Sequence, residues 1–473
     1  MRAAAGAIGL GGGLAGSDQG VAATQTDPRP NIILILLDDM RFDDVAAMPA
    51  VQALLADEGA TLSNFIATAP GCGPARASVL TGKYPHNHGV LKGNNDFGGL
   101  GTFIEWGNEE ATIASWLRAA GYRTSLIGKY LNGYREVVPE TYVPPGWSDW
   151  AGVTKEGYER FEVNIQGEIV NYRAGKGEPY STDVFAEMAT TFVAESYAAG
   201  EPFFAYIAPR APHGPLRAAK RHQAAFADAT APRPPSFNEA DVSDKPAWIQ
   251  ALPELDDEAI AELDEYYRMR LRTLLAVDEL VAVLVAALET VGALANTYIL
   301  FTSDNGYHLG EHRIAREKGS PYEEAVRMPL IVRGPGIPGG VTIDALASQT
   351  DLAPTFAEWA GVPIPDDIDG RSLASVLAEG GAGESWRQAV LVQYHADRSP
   401  KSTQQPAFQA LRFADLVYVE LGNGERELYD LAADPHQTMN LASTVDAAQL
   451  DALTARLEAA RGCAGESCRQ VEN

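Results

Sequence analysis

The stretch NIILILLDD, residues 31–39, sets an unbroken apolar run from Ile32 to Leu37 directly against two aspartates. A strand with one wet face alternates apolar and polar residues. A continuous apolar run rich in β-branched residues instead reads as a strand buried on both faces, as in a parallel sheet. The same arrangement recurs along the chain. TSLIGKY stops at Lys129, PFFAYIAPRAPHGP runs apolar from Phe203 to Ala208 and breaks at prolines around His213, and TYILFTSDNG ends at Asp304 and Asn305. PLIVRG, after Pro329, is a further strand. Helical segments lie between them. NEEATIASWLRAAGY is predicted as a helix capped by Asn108, with an acidic first turn and Gly121 at its end, and roughly Asp256 to Val291 reads as one long helix.

Strands alternating with helices predict an α/β fold, a large mostly parallel sheet covered by helices on both faces. Ligands of such sheets bind beyond the carboxyl ends of the strands. Asp38, Asp39, Lys129, His213, Asp304 and Asn305 all fall at or just past those ends, which predicts one shared site. After about residue 385 the pattern changes to short runs, AVLVQYH, FQALRFADLVYVEL and ERELYDL, followed by a helix near Ala447 to Ala460. These predict a smaller antiparallel subdomain. Three regions follow: 1–29, a signal-like or disordered N-terminal segment; 30–384, the catalytic α/β domain; and 385–473, the C-terminal α+β subdomain. The proline-rich stretch from about Ala211 to Asp257 reads as a surface excursion.

Charge narrows the partners. Lys and Arg number 37 against 63 Asp and Glu, a net charge of −26, and that field disfavours nucleic acid and anionic membranes. An anionic substrate then needs a local cluster of cations. No stretch approaches the roughly 20 apolar residues that span a bilayer. The opening MRAAAGAIGLGGGLAG serves equally as a weak export signal or a flexible tail. Cys463 and Cys468, in CAGESC, either close a small disulfide loop, which needs an oxidising compartment, or are two free thiols. If they pair, Cys72 is left over.

Two residue groups carry chemistry. Asp38–Asp39 and Asp304–Asn305 offer three carboxylates and an amide oxygen, a donor set for a hard divalent ion such as Ca²⁺ or Mg²⁺. Aspartate at a strand end also serves as a turn or cap, so it is the two pairs together that point to a metal. In CGPARASVLTGKY, Pro74 suits the first turn of a helix, which places Cys72 at or beside its N-cap, where unpaired N–H groups favour an anion. Arg76 projects from the same helical face. A buried structural cysteine before a helix is the plainer alternative. For His86, His88, Asn94 and Asn95 in YPHNHGVLKGNND the choice is between lining a sugar pocket and ordering a loop.

From about Asn31 to the C-terminus the chain resembles the sulfatase family. Cys-x-Pro-x-Arg followed by TGKY is similar to the family's maturation motif, LLDDMRFDD and TSDNGYHLGEHR to its two metal motifs, and APHGP and EKGSPYEEAVRMPL to its His and second Lys positions. ELYDLAADPHQTMNLA is similar to the family's usual C-terminal subdomain, and GKYLNGY, YVPPGWSDW and the terminal CAGESCR resemble the N-acetylglucosamine-6-sulfatase and heparan endosulfatase branch.

The resemblance implies an alkaline-phosphatase-like fold and a sulfuric ester hydrolase; the N-terminal segment, and a C-terminal disulfide if the two cysteines pair, point to export, to the periplasm or the medium. It implies that Cys72 is converted to Cα-formylglycine by a formylglycine-generating enzyme acting on the unfolded chain. It implies Asp38, Asp39, Asp304 and Asn305 as ligands of Ca²⁺ (Mg²⁺ being the alternative), with the group derived from Cys72 also touching the ion. The hydrated aldehyde then attacks sulfur, the alcohol leaves, and the second hydroxyl expels sulfate and restores the aldehyde. By the same resemblance Lys129 and Lys318 hold the sulfuryl oxygens, Arg76 holds the diol, and His213 protonates the leaving alcohol. The implied substrate is a sulfated sugar, 6-sulfated N-acetylglucosamine or a related glycan. A broad arylsulfatase, a phosphonate monoester or phosphodiester hydrolase, and a non-catalytic glycan-binding homologue are the alternatives. Two positions depart from the family pattern: Leu131 stands where many members carry His, with Asn132 the candidate replacement, and Ala75 stands where Ser is commonest.

Overall fold

A computed structural model describes residues 27–94, 98–173, 179–383, 385–396 and 405–473. The segment 1–26, most of the expected leader, lies outside the described residues, as does Asn95. Among the described residues fourteen strands form two sheets. The first ten are β1 (Asn31–Leu37), β2 (Ala60–Ile66), β3 (Arg123–Gly128), β4 (Asp149–Lys155), β5 (Phe161–Ile165), β6 (Glu168–Tyr172), β7 (Phe203–Ala208), β8 (Thr297–Ser303), β9 (Arg327–Arg333) and β10 (Val341–Ser348). They make one sheet in the order β10-β2-β9-β8-β1-β7-β3-β4-β5-β6.

The apolar run is the middle of this sheet. β1 pairs in parallel with β8 on one side and β7 on the other, and every residue of β1 is buried. Alternate side chains go to opposite faces, as strand geometry requires. Ile32, Leu34 and Leu36 pack with Leu117, Phe204 and Phe356, and Ile33, Ile35 and Leu37 with Phe192, Leu274 and Leu284. The second face is covered by the helices Ser181–Ala199 and Asp257–Val291. The long helix starts where the sequence predicts, with the Asp256 side chain accepting from the Ala259 N–H at 2.9 Å.

The sheet is mostly parallel, as expected, with β9 antiparallel between β8 and β2 and with β5 and β6 folded back as an antiparallel edge. Two details differ from expectation. The helix expected to begin at Asn108 instead follows a 3₁₀ turn, spans Ile113–Ala119 and is capped by Thr112, which accepts from the Ser115 N–H at 3.2 Å; Asn108 turns inward and donates to the His88 carbonyl at 2.8 Å. The surface excursion carries anchors of its own, with Val242, Trp248 and Ile249 buried against the second sheet.

That second sheet comprises β11 (Ala389–Tyr394), β12 (Phe408–Phe413), β13 (Leu416–Leu421) and β14 (Arg426–Asp430), antiparallel in chain order. One face packs on Tyr322, Val326 and Leu346 beside the first sheet, the other on the helix Ala447–Arg461. Cys463 and Cys468 are bonded to each other and buried in this second contact. Closing so short a loop stabilises by about 2 kcal/mol through the unfolded chain. Denaturant unfolding of a Cys463→Ser/Cys468→Ser variant should show a loss of that size; an unchanged midpoint would mean that packing alone fixes the terminus.

Candidate active site

The nine residues singled out from the sequence meet at the carboxyl end of the first sheet. They arrive on six pieces of chain, four of them the ends of parallel strands. β1 ends at Asp38 and Asp39, β3 at Lys129, β7 leads through Ala211 to His213, and β8 ends at Asp304 and Asn305. Lys318 comes from the loop between β8 and β9. Cys72 opens the helix Cys72–Thr81 behind an extended Gly71, with Pro74 in the first turn. Gly128 lets Lys129 approach. At its φ of +112° a Cβ would lie 2.1 Å from the Ala208 carbonyl oxygen, the same atom that accepts from the Lys129 N–H at 2.9 Å.

Cys72 Sγ lies 3.3 Å from Asp38 Oδ1 and 2.7 Å from Lys318 Nζ, which also bonds Asp39 Oδ1. Lys129 Nζ donates to Asp38 Oδ2 at 2.6 Å. Arg76 donates through Nε to Asp304 Oδ2 at 2.8 Å and through Nη1 to the Lys129 carbonyl at 3.2 Å. Asp39 N–H donates to Asp304 Oδ1 at 3.1 Å, and Asn305 Nδ2 to Asp39 Oδ1 at 2.7 Å. His213 places Nε2 3.7 Å from Asp39 Oδ2; its Nδ1 is 2.5 Å from the Gly214 carbonyl, which can only accept, so Nδ1 carries a hydrogen and Nε2 is the nitrogen turned to the cluster.

Asp38, Asp39, Cys72 and His213 each offer a ligand atom, and these lie within 4.8 Å of one another. The Asn305 Oδ1 is buried without a hydrogen-bond partner beside three carboxylates, a donor set of hard oxygens that fits a divalent ion such as Ca²⁺. Burial works to raise the Asp38 carboxyl, but Lys129, His213, Arg76 and Lys318 outweigh it and hold the group well below the usual carboxylate range. Asp304 goes the other way, raised by burial and by Asp38. Burial and Asp38 push the Cys72 thiol up, against Lys129 and Lys318, so the sulfur is not poised as a thiolate.

A cavity of about 340 Å³ opens over Cys72, His213 and Lys318. Asn94 and Asn132 line it, and so do Gln393 and Tyr394 of the second sheet with His395 and Gln405 from the chain beside its strands, a contribution the sequence did not reveal. His88 does not line it: it is fully buried, its Nε2 3.1 Å from Ser78 Oγ. His86 instead ties Gln393 to the Cys463 carbonyl, at 2.7 and 2.9 Å. Gln349, also missed, donates to the Asp304 carbonyl at 2.6 Å and accepts from the Thr68 N–H at 3.1 Å.

A doubly covered, mostly parallel sheet with acids, cations and one cysteine gathered at its strand ends is an alkaline-phosphatase-like fold. Comparison with known proteins narrows it. The sulfatase family model matches residues 30–362, and the C-terminal model of N-sulphoglucosamine sulphohydrolase matches 310–462. Human N-acetylglucosamine-6-sulfatase is 36% identical, the match covering 93% of this chain and 86% of that protein. The Volvox carteri arylsulfatase is 33% identical over 95% of this chain and 77% of its own length. The solved structure of BT4656 in complex with its substrate D-glucosamine-2-N,6-O-disulfate superposes with a TM-score of 0.77 at 27% identity, covering 93% of this chain and 98% of that one. The chain belongs to the sulfatase family and is an enzyme that hydrolyses sulfuric esters.

Proposed function

We propose that the enzyme is a formylglycine- and Ca²⁺-dependent sulfatase acting on a sulfated sugar, of the 6-sulfated N-acetylglucosamine type. The observation that carries this reading is the place of Cys72, the one free cysteine, with its sulfur between Asp38 and Lys318 at the floor of the cavity. Formylglycine made from Cys72 and hydrated supplies an oxygen nucleophile that can afterwards release sulfate by reverting to the aldehyde. Ca²⁺, or Mg²⁺ in its place, held by Asp38, Asp39, Asp304, Asn305 and residue 72, supplies positive charge for the sulfuryl oxygens.

The chain's own groups do the rest. Lys129 and Lys318 bind two sulfuryl oxygens and hold the ester in line with residue 72, lowering the barrier as negative charge spreads over the transferring group. Arg76, buried and fixed by Asp304, orients the group at position 72 one helical turn away. As the imidazolium, with a hydrogen on each ring nitrogen, His213 gives its Nε2 proton to the departing alkoxide and is left with the Nδ1 hydrogen. Three carboxylates face Arg76, Lys129 and Lys318; a divalent ion leaves the cluster net cationic, which suits an anionic ester in a chain otherwise strongly acidic.

The catalytic unit is assigned to residues 30–384 and the α+β subdomain to 385–473, which lends the cavity Gln393, Tyr394 and His395. Maturation needs a formylglycine-generating enzyme. The segment 1–29 is assigned as a signal-like or disordered N-terminal segment, and export to the periplasm or the medium is a reading supported by the Cys463–Cys468 bond. No helix among the described residues is long and apolar enough to cross a membrane.

Support for the sugar comes from the names of the human relative and of the BT4656 ligand. Sulfate release should be compared, with one preparation, across 6-O-sulfated N-acetylglucosamine, an aryl sulfate and a phosphodiester. Preferred turnover of the 6-sulfate is expected. Fast aryl sulfate turnover with none from the sugar would make this a broad arylsulfatase instead.

A further inference from the structure

Asp39 is the one member of the cluster with an unusual backbone. Its φ of +70° lies in the left-handed region, which few residues other than glycine, asparagine and aspartate adopt and which persists where the surroundings hold it. The enforcing contact comes from the far side. Arg270, fully buried on the long helix Asp257–Val291, donates through Nη2 to the Asp39 carbonyl oxygen at 2.5 Å. The same nitrogen reaches Asp44 Oδ2 at 3.1 Å, and the guanidinium lies over the Tyr307 ring, 4.7 Å from its centroid. Asp44 in turn accepts from the Arg41 N–H at 3.2 Å, and Arg41 donates to the Tyr307 carbonyl at 2.8 Å. The loop from Asp39 to Asp44 is thus pinned to the helix and to the strand-end loop after β8.

We propose that Arg270 is a positioning residue for the metal site: by holding the Asp39 carbonyl it keeps that residue left-handed, and so keeps its carboxylate turned toward Asn305 and Lys318. The inference rests on the reading of Asp39 as a Ca²⁺ ligand. Arg270 touches neither the cluster's side chains nor the cavity lining. Burying an arginine is expensive and one carboxylate partner would satisfy a purely structural pair, whereas here the guanidinium is shared with a main-chain carbonyl in a strained turn. Partners behind metal ligands commonly set affinity by 10–100-fold (a rough range).

The test is a calorimetric Ca²⁺ titration of the purified, matured enzyme and its variants, with kcat and KM at low and saturating Ca²⁺. Arg270→Met, which keeps the apolar stem, is expected to weaken Ca²⁺ binding about 10- to 100-fold, with kcat largely restored by saturating Ca²⁺ and KM little changed. Arg270→Lys, which retains the charge and a donor, should fall between Met and wild type; it is the variant read if the methionine protein does not fold. Asp44→Asn removes the carboxylate partner but leaves the bond to Asp39, and should lower thermal stability with Ca²⁺ affinity near wild type. Unchanged affinity in a folded Arg270 variant, or equal affinity losses in the Arg270 and Asp44 variants, overturns the proposal. Asp39→Asn separates the two readings. If it alone binds weakly, Arg270 is only structural; if it binds Ca²⁺ as wild type does, Asp39 is not a ligand and the site assignment itself falls.

Discussion

Cys72→Ala should lower kcat for sulfate release by roughly 10⁴-fold or more, because removing a nucleophile leaves only binding and electrostatic stabilisation. The helix it opens should persist. Cys72 is the first residue of Cys72–Thr81, where Gly71 and Pro74 set the geometry, and alanine fits a first-turn position. Cys72→Ser separates the proposed chemistry from an ordinary hydroxyl nucleophile. A serine oxygen can attack sulfur and release the alcohol, but it has no second hydroxyl to expel sulfate. One turnover at most is expected, with a sulfated peptide at residue 72 by mass spectrometry. Steady turnover by the serine variant would show that an internal collapse is not needed.

Stripping the metal should have the next largest effect. With a calcium chelator, activity should disappear and return on adding back Ca²⁺. Stability should also fall, by about 2.7 kcal/mol if the free ion had been near 100 times its Kd. The reason is local. Asp38, Asp39 and Asp304 are all buried within one cluster, and Asn305 Oδ1 lacks a protein partner. An ion relieves both the repulsion among the carboxylates and the stranded acceptor, and chelation restores both costs. Differential scanning calorimetry with and without chelator reads the change. An unmoved transition with full activity would exclude a structural and catalytic ion at these residues.

What the sequence disclosed follows burial. β1, β7 and β8 are buried on both faces, so their apolar runs had no polar residue to interrupt them, and the acids and His beyond them stood out. β2 (ATLSNFI) and β10 (VTIDALAS) lie at one edge of the sheet, where Asn64 and Asp344 face outward, and their mixed pattern hid them. The cap moved from Asn108 to Thr112 because Asn108 found a better partner in the His88 carbonyl, a contact 20 residues away that local pattern does not encode. The site residues were readable as motifs, but their meeting depends on four parallel strands ending at one level. The second sheet's share of the cavity was not readable at all: Gln393 and His395 reach it only because Val390 and Val392 pack onto Tyr322 and Val326. Arg270 was equally silent, one arginine among several on an amphipathic helix, distinguished only by the strained carbonyl it meets.

The account turns on the chemical state of residue 72 in working enzyme. Peptide mass spectrometry of a preparation with measured sulfatase activity addresses it directly. Exchanging sulfur for oxygen and removing two hydrogens makes that peptide about 18 Da lighter than the cysteine form, and the lighter fraction should rise in step with specific activity. A fully active preparation in which residue 72 is an unmodified thiol would contradict the account.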